Sequence, residues 1–238
     1  MNGDLRALGL AHGLLLGLLL ASPIVAPGLL TYGVSALFLL GGFRLRLADR
    51  RWDLRGGPAA WISHIRMAPR RLVPWGAAAV AILVAGQPTR AVAIGGAALL
   101  SELLVYPICA HLLGRLSRPL VAVILMVLIG LAGAAASEAM AYVLAFMTGI
   151  AACLSWMRGP DGDPRALAFA LGGTTAAAAM PVVLPASLPF ALPTGLVCAT
   201  LALAHLSVLR RRPVPWQRVD GARPSVRRPL WLQPPRLS

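Results

Sequence analysis

The chain has 238 residues, of which 58% are hydrophobic and only 13% charged, and its mean hydropathy is +0.75. An ordinary soluble domain carries roughly 25% charged residues, so this chain has too little polar surface to cover a water-soluble globule. A soluble enzyme, a DNA-binding domain and a disordered chain are excluded. The composition indicates an all-α, polytopic transmembrane helix bundle.

The formal charge is +14, from 22 basic residues against 8 acidic ones. Every basic residue is Arg and none is Lys, which excludes Schiff-base chemistry and the Lys of a phosphate-binding P-loop. In a soluble protein a pI near 11.7 would suggest nucleic acid. Here topology explains it, because cytoplasmic loops of membrane proteins collect Arg. No nucleic-acid partner is expected. Cys109, Cys153 and Cys198 all lie in apolar runs without a CxxC spacing, so they read as small buried hydrophobes.

A membrane-crossing helix needs about 20 apolar residues. From Ala7 to Phe43 no side chain carries a fixed charge, which suits two crossings broken at Pro23 and Pro27. The expected transmembrane domain is 1–209, with spans near 7–22, 28–43, 72–88, 91–113, 119–136, 139–157, 166–184 and 187–209. A cytoplasmic loop at 44–71 separates the second and third. The tail, 210–238, is rich in Arg and Pro and does not read as part of a packed core.

Eight spans with both termini inside place 21 of the 22 arginines on the cytoplasmic side, and only Arg90 outside. This segregation supports the span count and an N-in, C-in orientation. An all-Arg composition suggests an Arg-favouring genome, and the expected location is the cell inner membrane. A signal peptide is the rival for the first span, but neither Leu20-Ala21-Ser22 nor Ile24-Val25-Ala26 is a good cleavage site. Gly9, Gly13, Gly17 and Ala21 recur every four residues on that span. Small residues on one face let a second helix approach, within the chain, in a homo-oligomer or on a partner subunit.

The chain has two glutamates, in matching strings: Ser101-Glu102 followed by Tyr106, and Ser137-Glu138 followed by Tyr142. Residues i and i+4 share a helix face, so each Tyr is expected to meet its own Glu. Ionisable groups in lipid are costly and mark pathways or paired sites. Glu102, Tyr106, Glu138 and Tyr142 are therefore the candidate substrate or ion path, open to the outside.

His12, His111 and His205 fall at similar depths near the cytoplasmic interface and form a weak candidate metal or haem set. No HxxxH or HExxH spacing supports it, and no cofactor is expected. Glu102 and His111, nine residues apart, fall on opposite helix faces. Pro181, Pro185, Pro189 and Pro193 read as outer turns or a broken helix, and Gly172-Gly173-Thr174-Thr175 as a packing site or exposed hydroxyls. The stretch Arg158–Arg165 has the chemistry of a tight turn. Within 44–71, Trp52, Trp61, His64, Arg66, Arg70 and Arg71 suit contact with anionic lipid headgroups, as does the tail.

The leading expectation is an integral membrane permease or transport subunit for a small solute or cation, with Glu102 as its responsive group. The alternatives are a membrane-embedded enzyme acting on a lipid or polyprenyl substrate at the cytoplasmic face, and a non-catalytic subunit of a membrane assembly.

Overall fold

The computed structural model describes residues 30–49, 58–159 and 163–209, with residues 11 and 14 besides. The described residues form helices and turns: α1 Leu30–Ala48, α2 Pro58–Val84, α3 Pro88–Leu100, a π-turn Ser101–Val105, α4 Tyr106–Gly114, α5 Arg118–Gly133, α6 Glu138–Met157, α7 Pro164–Val183, a 3-10 turn Pro185–Ser187 and α8 Leu188–Leu209. Five stretches are long and apolar enough to cross a membrane: Trp61–Val84, Pro88–Gly114, Glu138–Met157, Pro164–Val183 and Pro185–Val208. Arg118–Gly133 is apolar but shorter. Phe169, Val182 and Val183 are each more than 80% exposed, an arrangement that lipid rather than water accommodates. The described residues make an all-helical bundle whose apolar helices are those of a membrane-embedded protein.

Several helix starts follow local rules. Pro88 and Pro164 open α3 and α7, where a missing N–H costs nothing. The Ser137 hydroxyl accepts from the Met140 N–H at 3.3 Å, and the Asp163 carboxylate from the Arg165 N–H at 3.0 Å, capping α6 and α7. Gly86 takes a φ of 79° in the turn that folds α3 back along α2.

The segment expected to be a loop, 44–71, is largely helical. The second helix runs on to Ala48 and carries Arg44 and Arg46 in its last turns. The third starts at Pro58, fourteen positions before the expected span. Arg is a good helix former, so charge alone does not end a helix. A buried stripe of His64, Ala68, Trp75, Ala78 and Ile82 follows helical spacing through the expected boundary. At 1.5 Å per residue, α2 is about 40 Å long, more than the roughly 30 Å hydrocarbon core.

The interior is built on α6, which packs against α1, α3, α4, α5 and α8. It runs parallel to α1, with Tyr142 beside Phe38 and Trp156 beside Phe43. Peripheral α7 rests on α8, with Cys198 against Gly173. Arg44, Arg46, Arg115, Arg118, Arg158 and Arg165 lie at one end of the bundle, and Arg90 at the other. Arg158 closes the arginine end by donating to the carbonyls of Leu113, Gly114 and Leu116.

The first expected span, with His12 and the row Gly9, Gly13 and Gly17, lies outside the described residues, except that residues 11 and 14 are helical and Ala11 touches the core. The tail also lies outside them.

Candidate functional site

The two glutamates each meet an arginine from another helix. At the end opposite the arginines, Arg90 of α3 holds Glu138 of α6 through both carboxylate oxygens, with Nη2 to Oε1 at 2.8 Å and Nε to Oε2 at 3.0 Å. Gln87 accepts from the same guanidinium at 2.9 Å, and the Tyr142 hydroxyl donates to Glu138 Oε2 at 3.4 Å. This group borders an open polar pocket with Gln87, Thr89 and Ser137 in its wall.

Further in, Tyr142 stacks on Phe38 with 5.3 Å between ring centroids, and Phe38 packs on Trp75 at 4.2 Å. Trp75 is one helical turn from Arg71. Arg71 Nε donates to Glu102 Oε2 at 2.8 Å. Its Nη2 donates to the His64 carbonyl at 2.9 Å and lies 3.2 Å from His64 Nδ1. His64 stacks on Tyr106 at 4.8 Å. The Tyr106 hydroxyl reaches Asp49 Oδ2 at 3.5 Å and accepts from Arg46. Arg46 is 0% exposed and donates to the Asp49 carbonyl at 3.0 Å.

These contacts make up one column between α1, α2, α3–α4 and α6, in two parts joined along α2 by the turn from Arg71 to Trp75. Polar clusters occupy its two ends, and the aromatic stretch Tyr142–Phe38–Trp75 closes its middle. In the part of the column nearer the arginine end, Arg46 and Arg71 stand beside Asp49 and Glu102. His64 Nε2 faces the Glu102 carbonyl at 2.7 Å, and a carbonyl only accepts, so Nε2 carries a proton; Arg71 Nη2 lies 3.1 Å from Nε2 and 3.2 Å from Nδ1.

The two matching strings differ in local structure. Glu138 and Tyr142 sit on a regular helix and meet as i and i+4. Glu102 and Tyr106 do not meet, because the chain between them is a π-turn. The Tyr106 N–H bonds to the Ser101 carbonyl, five residues back, and leaves the Glu102 carbonyl to His64. Pro107 has no N–H to offer the Leu103 carbonyl, and its ring crowds that oxygen. Trp61 Nε1 of α2 takes it instead, at 3.1 Å. A proline in an apolar run explains the widened turn. Val143, at the equivalent place in α6, imposes no such break.

Sequence reasoning placed His64 and Arg71 with the headgroups and missed that they face Glu102. It counted Arg46 only as a loop charge. The available signals were Pro107, four residues after Leu103, and Arg90 as the lone arginine on its side.

Other candidates do not join the column. His111 is half-buried on α4, while His205 is buried on α8 edge-on to Trp156, 6.4 Å away. Those helices do not pack as neighbours, and no group of three His, Cys, Asp or Glu among the described residues could hold a metal ion. The hydroxyls of Thr174 and Thr175 bond back to Ala170 and Gly172 of their own helix. An apolar cavity of about 220 Å³ lies beside α1 and α6, walled by Ser35, Leu39, Thr148, Pro189 and Pro193.

No family model, curated protein or solved structure matches this chain.

Proposed function

We propose that the chain is an eight-span protein of the cell inner membrane, with both termini inside, that moves a small cation, the proton included, along the column described above. The observation that carries this reading is the Arg71–Glu102 ion pair midway along two apolar helices, with the Glu102 carboxylate buried and Arg71 partly so. Ionisable pairs at such depth are expensive and are kept where they do work, and π-turns recur at functional sites. The second ion pair, Arg90–Glu138, sits at the far end of the same column and forms its outer mouth. Glu102 is the responsive group. A proton on its carboxylate weakens its hold on Arg71, which keeps its bond to the His64 carbonyl.

Within the column, Asp49 and Glu102 stand beside Arg46 and Arg71, and this pairing of carboxylates with the buried guanidiniums supports a cation path over an enzyme that grips a lipid phosphate. The arginines at that end, together with the tail, serve to hold anionic headgroups.

The test is flux into vesicles of phosphatidylethanolamine and phosphatidylglycerol containing the purified protein. Vesicles carry a pH-sensitive dye and an imposed potential, and protons, sodium, potassium and tetramethylammonium are offered in turn. At least one should enter faster through the wild type than through Glu102→Gln. Equal rates for all four would overturn the reading.

A further inference from the structure

Glu102 has two available partners. The same sequence string in α6 shows that Glu and Tyr at i and i+4 bond to each other when the helix is regular, as Glu138 and Tyr142 do. In α3–α4 the π-turn separates Glu102 from Tyr106 and turns the carboxylate to Arg71. The turn is held from outside its own helix. His64 takes the Glu102 carbonyl at 2.7 Å and Trp61 takes the Leu103 carbonyl at 3.1 Å, both from α2. Pro107 withholds the amide that would close a regular turn there.

We infer that Trp61, His64 and Pro107 are positioning residues, which fix the π-turn and thereby hold Glu102 toward Arg71 and away from Tyr106. None of the three needs to touch the cation. Their common effect is on the rotation of α4 relative to α3. A π-turn amounts to one extra residue in the helix, so its loss rotates everything beyond it by about 100°. Glu102 and Tyr106 then stand on one face, as in α6. The inference rests on the proposed transport role only for its consequence; the rotation is measurable without it.

The experiment places spin labels at Met67 of α2, before the turn, and Leu112 of α4, beyond it, both exposed, in a full-length chain whose three cysteines are replaced by alanine. The inter-label distance is read in wild type, Pro107→Ala, Trp61→Phe with His64→Leu, and His64→Gln. A rotation of this size moves a label by on the order of 8 Å, given the width of a helix. Pro107→Ala and the Trp61/His64 pair should shift the distance. His64→Gln, which keeps a donor for the carbonyl, should retain the wild-type value.

An unshifted distance in folded Pro107→Ala and in the paired variant overturns the inference. So does a shifted distance with wild-type entry of the cation that Glu102→Gln slows, since the turn would then position nothing that matters. Absence of flux in the wild type, with distances shifting as expected, sinks the transport role and leaves the positioning intact.

Discussion

Gly42 of α1 and Gly149 of α6 both sit at the crossing of the two helices, each pressed onto the backbone of the opposite helix. A Cβ on Gly42 would strike the Phe146 carbonyl oxygen, and one on Gly149 would strike that of Leu39. Backbone cannot swing aside as a flexible side chain can. Gly42→Ala or Gly149→Ala should therefore cost at least the 1–3 kcal/mol or so typical of overpacking. Gly33→Ala on the same α1 meets nothing within 4 Å and should be neutral or slightly stabilising. Thermal unfolding in detergent reads all three.

Arg71 and Glu102 should behave as a unit. The Glu102 side chain is 6% exposed, so removing Arg71 strands a charge in the interior. Arg71→Met alone should destabilise by about 3 kcal/mol. Arg71→Met with Glu102→Gln should recover much of that loss. A double-mutant cycle with no coupling would show that the pair is not formed in the bilayer.

The outer pair should be weaker. Arg90 and Glu138 are 24% and 37% exposed, and water screens them. Glu138→Gln should cost about 1 kcal/mol or less, and raising salt should shrink the difference from wild type. A cost as large as that of Arg71→Met would mean that this end is sealed from solvent.

Gly173 lets α7 lie against α8, because a Cβ there would sit 2.6 Å from the Cys198 sulfur. Gly173→Ala should lower the unfolding temperature, and adding Cys198→Ala should restore it. Failure of the rescue would point to the helix backbones rather than the sulfur as the obstacle.

Arg158 supplies donors to three carbonyls at the end of α4 and the turn after it, including Gly114 at 2.6 Å. Arg158→Met should remove the side-chain donor from the Gly114 and Leu116 carbonyls, at about 1–3 kcal/mol each where water is kept out, while the Leu113 carbonyl keeps the Leu116 N–H. Hydrogen exchange should show faster opening around residues 112–118, with the column region unchanged.

The residues that line the column were only partly legible in the sequence. Glu102, Tyr106, Glu138 and Tyr142 announce themselves, because ionisable and phenolic groups are rare in apolar runs. Their partners do not. Arg71 lies 31 positions from Glu102 and Arg90 lies 48 from Glu138. Pairing across such intervals depends on how helices pack, which periodicity does not encode. The helical stripe through His64 and Ala68 was readable, but the arginines around it argued for a loop. The Glu102–Tyr106 bond fails for a local reason, Pro107, which lies in plain view.

Every member of the column, from Phe38 to Tyr142, precedes α7. The two last helices add no group to it: α8 lies against α1, α5 and α6, and α7 hangs on α8. During synthesis the whole set of charged and aromatic partners has therefore left the ribosome before the final hairpin is made. Arg71 and Arg90 can find their carboxylates before α7 and α8 pack, and those two helices then cover a mostly apolar surface.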